Sequence, residues 1–289
     1  MRSSINWLLL AMAVGSIGCV SVPHPQVENR PVTRIEGRDS HELLNSVLWI
    51  QTSAEYDTLS RLTFRQAQEA LIRARADKTW TAAPEQTGDF ANLPDAIIVD
   101  IDDTVLDDSP FQGKLVAART RYNQPLWDDW AARAQANSTP GASEFLAFAR
   151  DNSVVVFYVT NRYFKHEKDT VANLQKRGFP VDAAGTLVLS RNEKPDWGSD
   201  KSSRRAAIAE THRVLLLIGD DLGDFVSGAR DTPKNRVQVA QKHALFWGIR
   251  WFLLPNPMYG SWEYALFDHN LSLPDNEILQ RKLDSIEDF

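Results

Sequence analysis

The chain has 289 residues, 43% of them hydrophobic and 24% charged, with a formal net charge of −6 at pH 7. That is globular composition, long enough for one large α/β domain or two small ones. The acidic balance excludes a surface built for long nucleic-acid polymers, while a small anionic substrate fits wherever positive charge is supplied locally.

The first residues read as an export signal. Arg2 supplies a short positive region, and Trp7–Val14, WLLLAMAV, is apolar but too short for a permanent membrane span. Gly15, Ser16, Ile17 and Gly18 lead into Cys19. Small residues directly before a cysteine resemble the lipobox of bacterial lipoproteins, which is cut before the Cys so that lipid can be attached to it. Ser16 departs from that pattern, in which a Leu-like residue is usual three before the Cys. Cys19 is the only cysteine, which excludes an intramolecular disulfide. Val20 stands where an inner-membrane retention signal would carry Asp. The expectation is an exported, lipid-anchored protein of the bacterial outer membrane, on its periplasmic face or at the cell surface. Residues 1–18 are then a signal peptide, 19–38 a tether with prolines and no periodicity, and 39–289 a single domain.

Residues 41–78 carry a helical pattern, with Leu59, Leu62, Ala67, Ala70 and Leu71 at helix-like spacings. A core over 95–255 follows, in which short apolar runs alternate with helical segments. Ala96–Val99 is the first buried-strand candidate. Pro140 opens a helix whose apolar content is Phe145, Leu146 and Phe148. Val154–Val159, β-branched and aromatic, is the second strand. A helix over about 165–177 stops at Gly178. Thr186–Leu189 is the third strand, Ser202–Thr211 a helix, Val214–Ile218 the fourth strand and Trp251–Leu254 a fifth. Residues 256–289 close the chain as a loop and a helical segment. Continuous apolar strands separated by helices predict an α/β fold with a parallel sheet covered by helices on both faces. In such folds ligands bind beyond the carboxyl ends of the strands.

Four blocks stand at those ends or at the start of the following helix. They are Asp100-Ile101-Asp102-Asp103-Thr104 after the first strand, Thr160-Asn161-Arg162 after the second, Lys201 before the helix that leads to the fourth, and Gly219-Asp220-Asp221-Leu222-Gly223-Asp224 after the fourth. A lone DxD after a strand is more often a solvated turn, and a lone lysine a surface residue. Together and in this order, DxDxT, Thr, Lys and GDxxxD resemble the haloacid dehalogenase (HAD) superfamily. DIDDTVLDDSPF, WDDW at Trp127–Trp130, PGA at Pro140, TNR at Thr160, GDDLGDF and PNPMYGSWE narrow the resemblance to the class C acid phosphatases, the lipoprotein e(P4) family of 5′-nucleotidases, from about residue 40 to the C-terminus.

The resemblance implies a HAD-like Rossmannoid sheet with a small, mainly helical accessory region, and a phosphomonoesterase using one Mg²⁺. Asp100 is implied as nucleophile and metal ligand, Asp102 as proton carrier and backbone-carbonyl ligand, and Asp220 as the third ligand. Thr160 and a neighbouring backbone amide would bind phosphoryl oxygens, Lys201 would balance the charge, and Asp224 would fix Lys201 or a metal-bound water. The chemistry agrees. A phosphate monoester is anionic and resists attack unless a cation offsets the repulsion. Mg²⁺ takes carboxylate oxygens, and close carboxylates otherwise raise one another's pKa.

Arg162 is open between phosphate contact and a surface salt bridge, and Asn161 stands beside it as a substrate-binding candidate. Trp127 and Tyr259 are implied to flank the leaving group, with packing into the core as the alternative. A small phosphomonoester is the implied substrate, a nucleoside 5′-monophosphate foremost. Asp107 and Asp108 read as turn charges, and Asp103 and Asp221 carry no assigned role. Trp49, Trp80, Trp247 and Trp251 read as core or interface, and no histidine pair has metal spacing. Two other readings remain: a HAD phosphotransferase with an alcohol acceptor, and a non-catalytic surface lipoprotein binding an apolar ligand such as haem. A homodimer is compatible with all of them.

Overall fold

The computed structural model describes residues 41–287. Cys19, the export signal, the tether and Ser40 lie outside the described residues. The first helical stretch is two helices, α1 (Leu44–Thr52) and α2 (Ala54–Ala76). The break is set by Ser53, whose extended backbone stops α1 and whose side chain accepts from Tyr56 N at 3.1 Å to cap α2. Glu55 and Asp57 in the first turn of α2 and Arg73 and Arg75 in its last complement the helix dipole.

The elements that follow are β1 (Asp95–Val99), β2 (Leu106–Asp107), α3 (Ser109–Ala118), α4 (Gln124–Arg133), β3 (Asn137–Ser138), α5 (Ala142–Asp151), β4 (Val155–Tyr163), α6 (Glu167–Lys176) and β5 (Val188–Arg191). Then come α7 (Ser202–Ala209), β6 (Arg213–Gly219), α8 (Pro233–Lys242), β7 (Trp251–Leu253), α9 (Ser261–Tyr264) and α10 (Asp275–Leu283). Five strands form one parallel sheet in the order β5-β4-β1-β6-β7. Alternate residues of each strand feed two cores. Ile97 and Val99 of β1 and Val156 and Tyr158 of β4 join Phe64, Ala67 and Leu71 of α2 and Phe145 of α5 on one face. Ala96, Ile98, Phe157 and Val159 join Ile208 of α7, Phe225 and Trp251 on the other. This two-sided burial is why the strands read as unbroken apolar runs.

The third strand begins two residues later than Thr186. Thr186 instead donates from its N and Oγ1 to the Asp182 carboxylate, at 3.1 and 2.7 Å, and is spent on a turn. The accessory region is α3, α4 and the short antiparallel pair β2–β3, inserted after β1. It packs through Phe111, Leu115 and Trp127.

Candidate active site

β1 and β6 lie side by side, with Val99 paired to Ile218 and Asp100 N donating to Ile218 O at 2.9 Å. Register therefore puts Asp100 beside Asp220. Asp100, Asp220 and Asp224 each offer an oxygen within 4.8 Å of the others. Lys201, at the N-cap of α7, sits between Asp100 Oδ1 and Asp224 Oδ1, the latter at 2.7 Å. Burial would lower its ammonium pKa, but the two carboxylates outweigh it and the pKa rises.

Burial pushes Asp100 up to about 7 against the pull of Lys201, and burial with the Asp224 and Asp100 charges pushes Asp220 well above the carboxylate range. Crowded carboxylates that resist ionisation form a donor set that fits a hard divalent cation. Asp220 is aimed by Thr104 Oγ1, the threonine of the DxDxT block, at 3.0 Å and by Asn256 Nδ2 at 2.8 Å, neither of which carried a role in the sequence reading. The Asp224 carboxylate meets Lys201, one of the two partners expected for it, and also stands within the acidic group. It also holds the turn, its Oδ2 accepting from Asp220 N at 3.1 Å and Asp221 N at 2.9 Å. A Cβ on Gly219 would overlap that carboxylate, which explains the glycine.

Arg162 is not a surface residue. Its side chain is 2% exposed, Nε and Nη2 each 2.8 Å from Asp102 Oδ1, and Nη2 3.5 Å from Asp108 Oδ1. It forms a buried ion pair with the second motif aspartate, which corrects the reading of Arg162 as a surface salt bridge. Burial would raise the Asp102 pKa, but the Arg162 charge prevails and holds it below the usual range. Asp102 is thus held ionised at rest, whereas a resting proton donor was expected.

Asp108, read as a turn charge, is fully buried. It accepts from Trp130 Nε1 at 2.6 Å, and burial followed by the Asp102 charge raises its pKa well above the carboxylate range. Asp103 is also buried, at φ +53°, accepting from Asp108 N at 3.1 Å. A left-handed aspartate there makes the bend that carries the chain from Asp102 into the insertion.

Trp127 is 9% exposed, with Phe111 edge-on at 5.1 Å and the Arg162 guanidinium 5.5 Å from its centroid. The ring backs Arg162 and presents little surface to a leaving group, a correction that follows from α4 packing down onto α3. Tyr259 is half-buried and packs against Val47, Ile50, Tyr56 and Met258. Asp221, without a role in the sequence reading, accepts from Ser261 N at 2.7 Å and Oγ at 2.6 Å, tying the loop of Asn256 and Tyr259 to the Asp220 turn.

Thr160 is fully buried, its Oγ1 accepting from Arg162 N at 3.0 Å. Asn161 is exposed, its Oδ1 accepting from Arg204 at 2.9 Å. Just beyond, a hollow of about 460 Å³ opens between Gln124, Tyr163, Phe164, Lys165 and Asn192. It is a wide, shallow depression, open to solvent.

A family model described as HAD superfamily, subfamily IIIB (Acid phosphatase), matches residues 16–262. The class C acid phosphatase from Bacillus anthracis is 31% identical, with a TM-score of 0.77 over 86% of this chain and 98% of that one. A structure of the same protein with tungstate bound gives a TM-score of 0.76. A stem 31 kDa glycoprotein of Glycine max is 26% identical, and the match covers 57% of this chain but only 59% of the relative's length. Acid phosphatase 1 of Solanum lycopersicum is 21% identical over 90% of this chain and 99% of its own.

Proposed function

We propose, for a chain that belongs to the HAD superfamily, subfamily IIIB, the acid phosphatases, that it hydrolyses phosphate monoesters through an aspartyl-phosphate on Asp100. The observation that carries this is the burial of Lys201 between Asp100 and Asp224 at the carboxyl ends of β1 and β6. Such a cation works against the burial that favours the protonated Asp100, and together with a bound divalent ion it would keep Asp100 anionic for attack and offset the charge of the incoming phosphoryl group. Asp100 and Asp220 are the side chains that would hold Mg²⁺, with the Asp102 carbonyl as a third ligand and Asp224 close enough to join them. When bound, the ion neutralises the carboxylates and the phosphoryl oxygens.

The Asp100 carboxylate forms a bond to phosphorus, and the bond to the leaving alcohol breaks. Asp102, held ionised by Arg162, then takes a proton from the water that opens the acyl phosphate. An acidic medium supplies the earlier proton to the leaving oxygen, which agrees with an acid phosphatase. Thr160 retains a hydroxyl proton with which to bind a phosphoryl oxygen.

Nucleoside 5′-monophosphates are the proposed substrates. The shallow hollow at Tyr163 and Phe164 adjoins the carboxyl end of β4, next along the chain from Asn161 and Arg162, and offers an aromatic face to a base, and Tyr259 lies on the loop tied to the Asp220 turn. Lipid attachment at Cys19 remains the proposal for the N-terminus. The deciding experiment is phosphate release by the purified chain, with and without Mg²⁺, for the parent and Asp100→Asn. Equal release by both would sink the reading.

A further inference from the structure

Six cations are buried among the described residues: Arg162, Lys201, Arg204, Arg205, Arg213 and Arg236. Four of them have carboxylate partners. Arg162 meets Asp102, Lys201 meets Asp100 and Asp224, Arg205 meets Glu85 at 2.6 Å and Arg213 meets Asp95 at 2.7 Å. Arg236 bonds Ala229 O and Ser261 Oγ. Of the two without a carboxylate partner, Arg204 is the one that touches the Thr160-Asn161-Arg162 block. Its guanidinium is held by uncharged oxygens alone among the described residues: Thr160 O, Asn161 Oδ1 at 2.9 Å, Gly198 O at 2.9 Å, Leu189 O at 3.4 Å and Asp200 O at 3.5 Å. A buried charge without a counter-charge is costly. Burial lowers its pKa only to about 10, so it stays charged in neutral and acidic solution.

Its position suggests what that cost serves. Arg204 lies three residues after Lys201, so both project from nearly the same side of α7. Lys201 reaches Asp100, and Arg204 reaches the peptide between Thr160 and Asn161. That peptide lies beyond the last β1–β4 pair, Val99 with Tyr158, and within the stretch where the β4–β5 register shifts between Val159 and Tyr163. Regular strand pairing does not set its orientation. In a trans peptide the C=O and N–H point in opposite directions. Arg204, by bonding the Thr160 carbonyl, fixes the plane of this peptide and turns the Asn161 N–H to the side opposite itself.

We infer that Arg204 is a positioning residue of the phosphoryl pocket: it aims the Asn161 amide at the phosphoryl oxygens and places an unpaired positive charge behind them. The inference rests on the phosphatase reading. It assigns the missing counter-charge to the substrate itself, an anion that arrives and leaves.

The test uses the full chain, with inorganic phosphate as the probe of anion binding. Arg204→Gln removes the charge and the fork. It is expected to raise the Ki of phosphate about tenfold, the scale of a hydrogen bond to a charged group. It should also lower kcat roughly 10²-fold, as loss of an aligned oxyanion donor does. Arg204→Lys keeps a cation in the same space and serves should the glutamine variant not fold. Its Ki should stay within about threefold of the parent, while kcat falls at least about tenfold, because one ammonium cannot hold both the Thr160 carbonyl and Asn161. A purely structural role would lower Tm in either variant and leave kcat and Ki per folded molecule unchanged, and that result overturns the inference. A parent chain that neither releases nor binds phosphate would overturn the phosphatase reading along with it.

Discussion

Arg162 Nε donates to Asp102 Oδ1 at 2.8 Å from a side chain that is 2% exposed, so the second motif aspartate is ionised and fixed before substrate arrives. Replacing Arg162 by Gln leaves Asp102 without its cation. The Asp102 pKa should then rise, and because Asp102 acts as an ionised base, the pH below which kcat/KM declines on the acidic side should move upward. The sign follows from the pair: a depressed carboxyl pKa contributes stability that is present above the unfolded value and lost as pH falls through the folded one. Removing one partner of a buried pair costs about 3–5 kcal/mol, so Tm at neutral pH should also fall. A variant with the parent's pH profile would separate Arg162 from the proton carrier.

Metal affinity should depend on pH. Burial holds the Asp100 pKa near 7 and that of Asp220 above the carboxylate range, so both tend to bind protons in the metal-free protein. A raised folded pKa in a carboxylic acid means that stability declines as pH rises from the unfolded value towards the folded one. The metal-free fold should therefore lose stability between about pH 4 and 7, and Mg²⁺ should restore more of it at pH 7.5 than at pH 5. Thermal denaturation in EDTA and in Mg²⁺ at both pH values measures this. An equal Mg²⁺ increment at the two would count against the carboxylate site.

Asp100→Asn should lower kcat by about 10⁴-fold or more, the scale on which loss of a nucleophile acts. Asp220→Asn should weaken Mg²⁺ at least about tenfold, with partial recovery at high metal concentration. Titration calorimetry and steady-state rates distinguish the two. Full activity of the parent in EDTA would refute the metal requirement.

Trp127→Ala and Phe164→Ala should behave differently. Trp127 is enclosed by Phe111 and Arg162, and its truncation should cost about 3–5 kcal/mol of stability. Its loss of kcat/KM should be alike for a nucleoside 5′-monophosphate and for glycerol phosphate. Phe164 is half exposed at the hollow beyond the phosphate loop. Its truncation, like Tyr259→Ala, should lower kcat/KM for the nucleotide and spare glycerol phosphate. Stacking on one ring gives roughly 1–3 kcal/mol, or about five- to 150-fold. Parallel losses for Phe164→Ala on both substrates would place the base elsewhere.

The parallel sheet and the acidic cluster were legible because continuous apolar strands signal burial on both faces and end at the motif residues. Asp100 and Asp220 lie where the strand-end rule put them and Lys201 stands at the start of α7, whereas Thr160 falls inside β4, which runs on to Tyr163. Asp108 was not legible, since its sequence neighbourhood, an aspartate pair before Ser-Pro, reads as an exposed turn. Only Trp130, 22 residues on, reveals that its side chain points inward. Arg204 and Arg205 look like ordinary helix-surface cations, and their partners lie 44 and 120 residues away. Trp127 was misplaced because an aromatic in an insertion offers no periodicity from which to read a buried face. Asn256 and Asp221 act through a loop whose path depends on tertiary packing.

From its N-cap through its first turn, helix α7 touches three segments of the site. Lys201 engages Asp100 and Asp224, Arg204 engages Thr160 and Asn161, and Arg205 bonds the Gly223 and Asp224 carbonyls. An α-helix turns by about 100° per residue. One residue inserted between Lys201 and Arg204 would carry both arginines a quarter-turn or more out of register with Lys201, and all of their contacts would be lost together. Length variation among homologues is therefore expected in the loop before Lys201 or beyond Ala209, and not within this turn. Here the count of residues is as constrained as their identity.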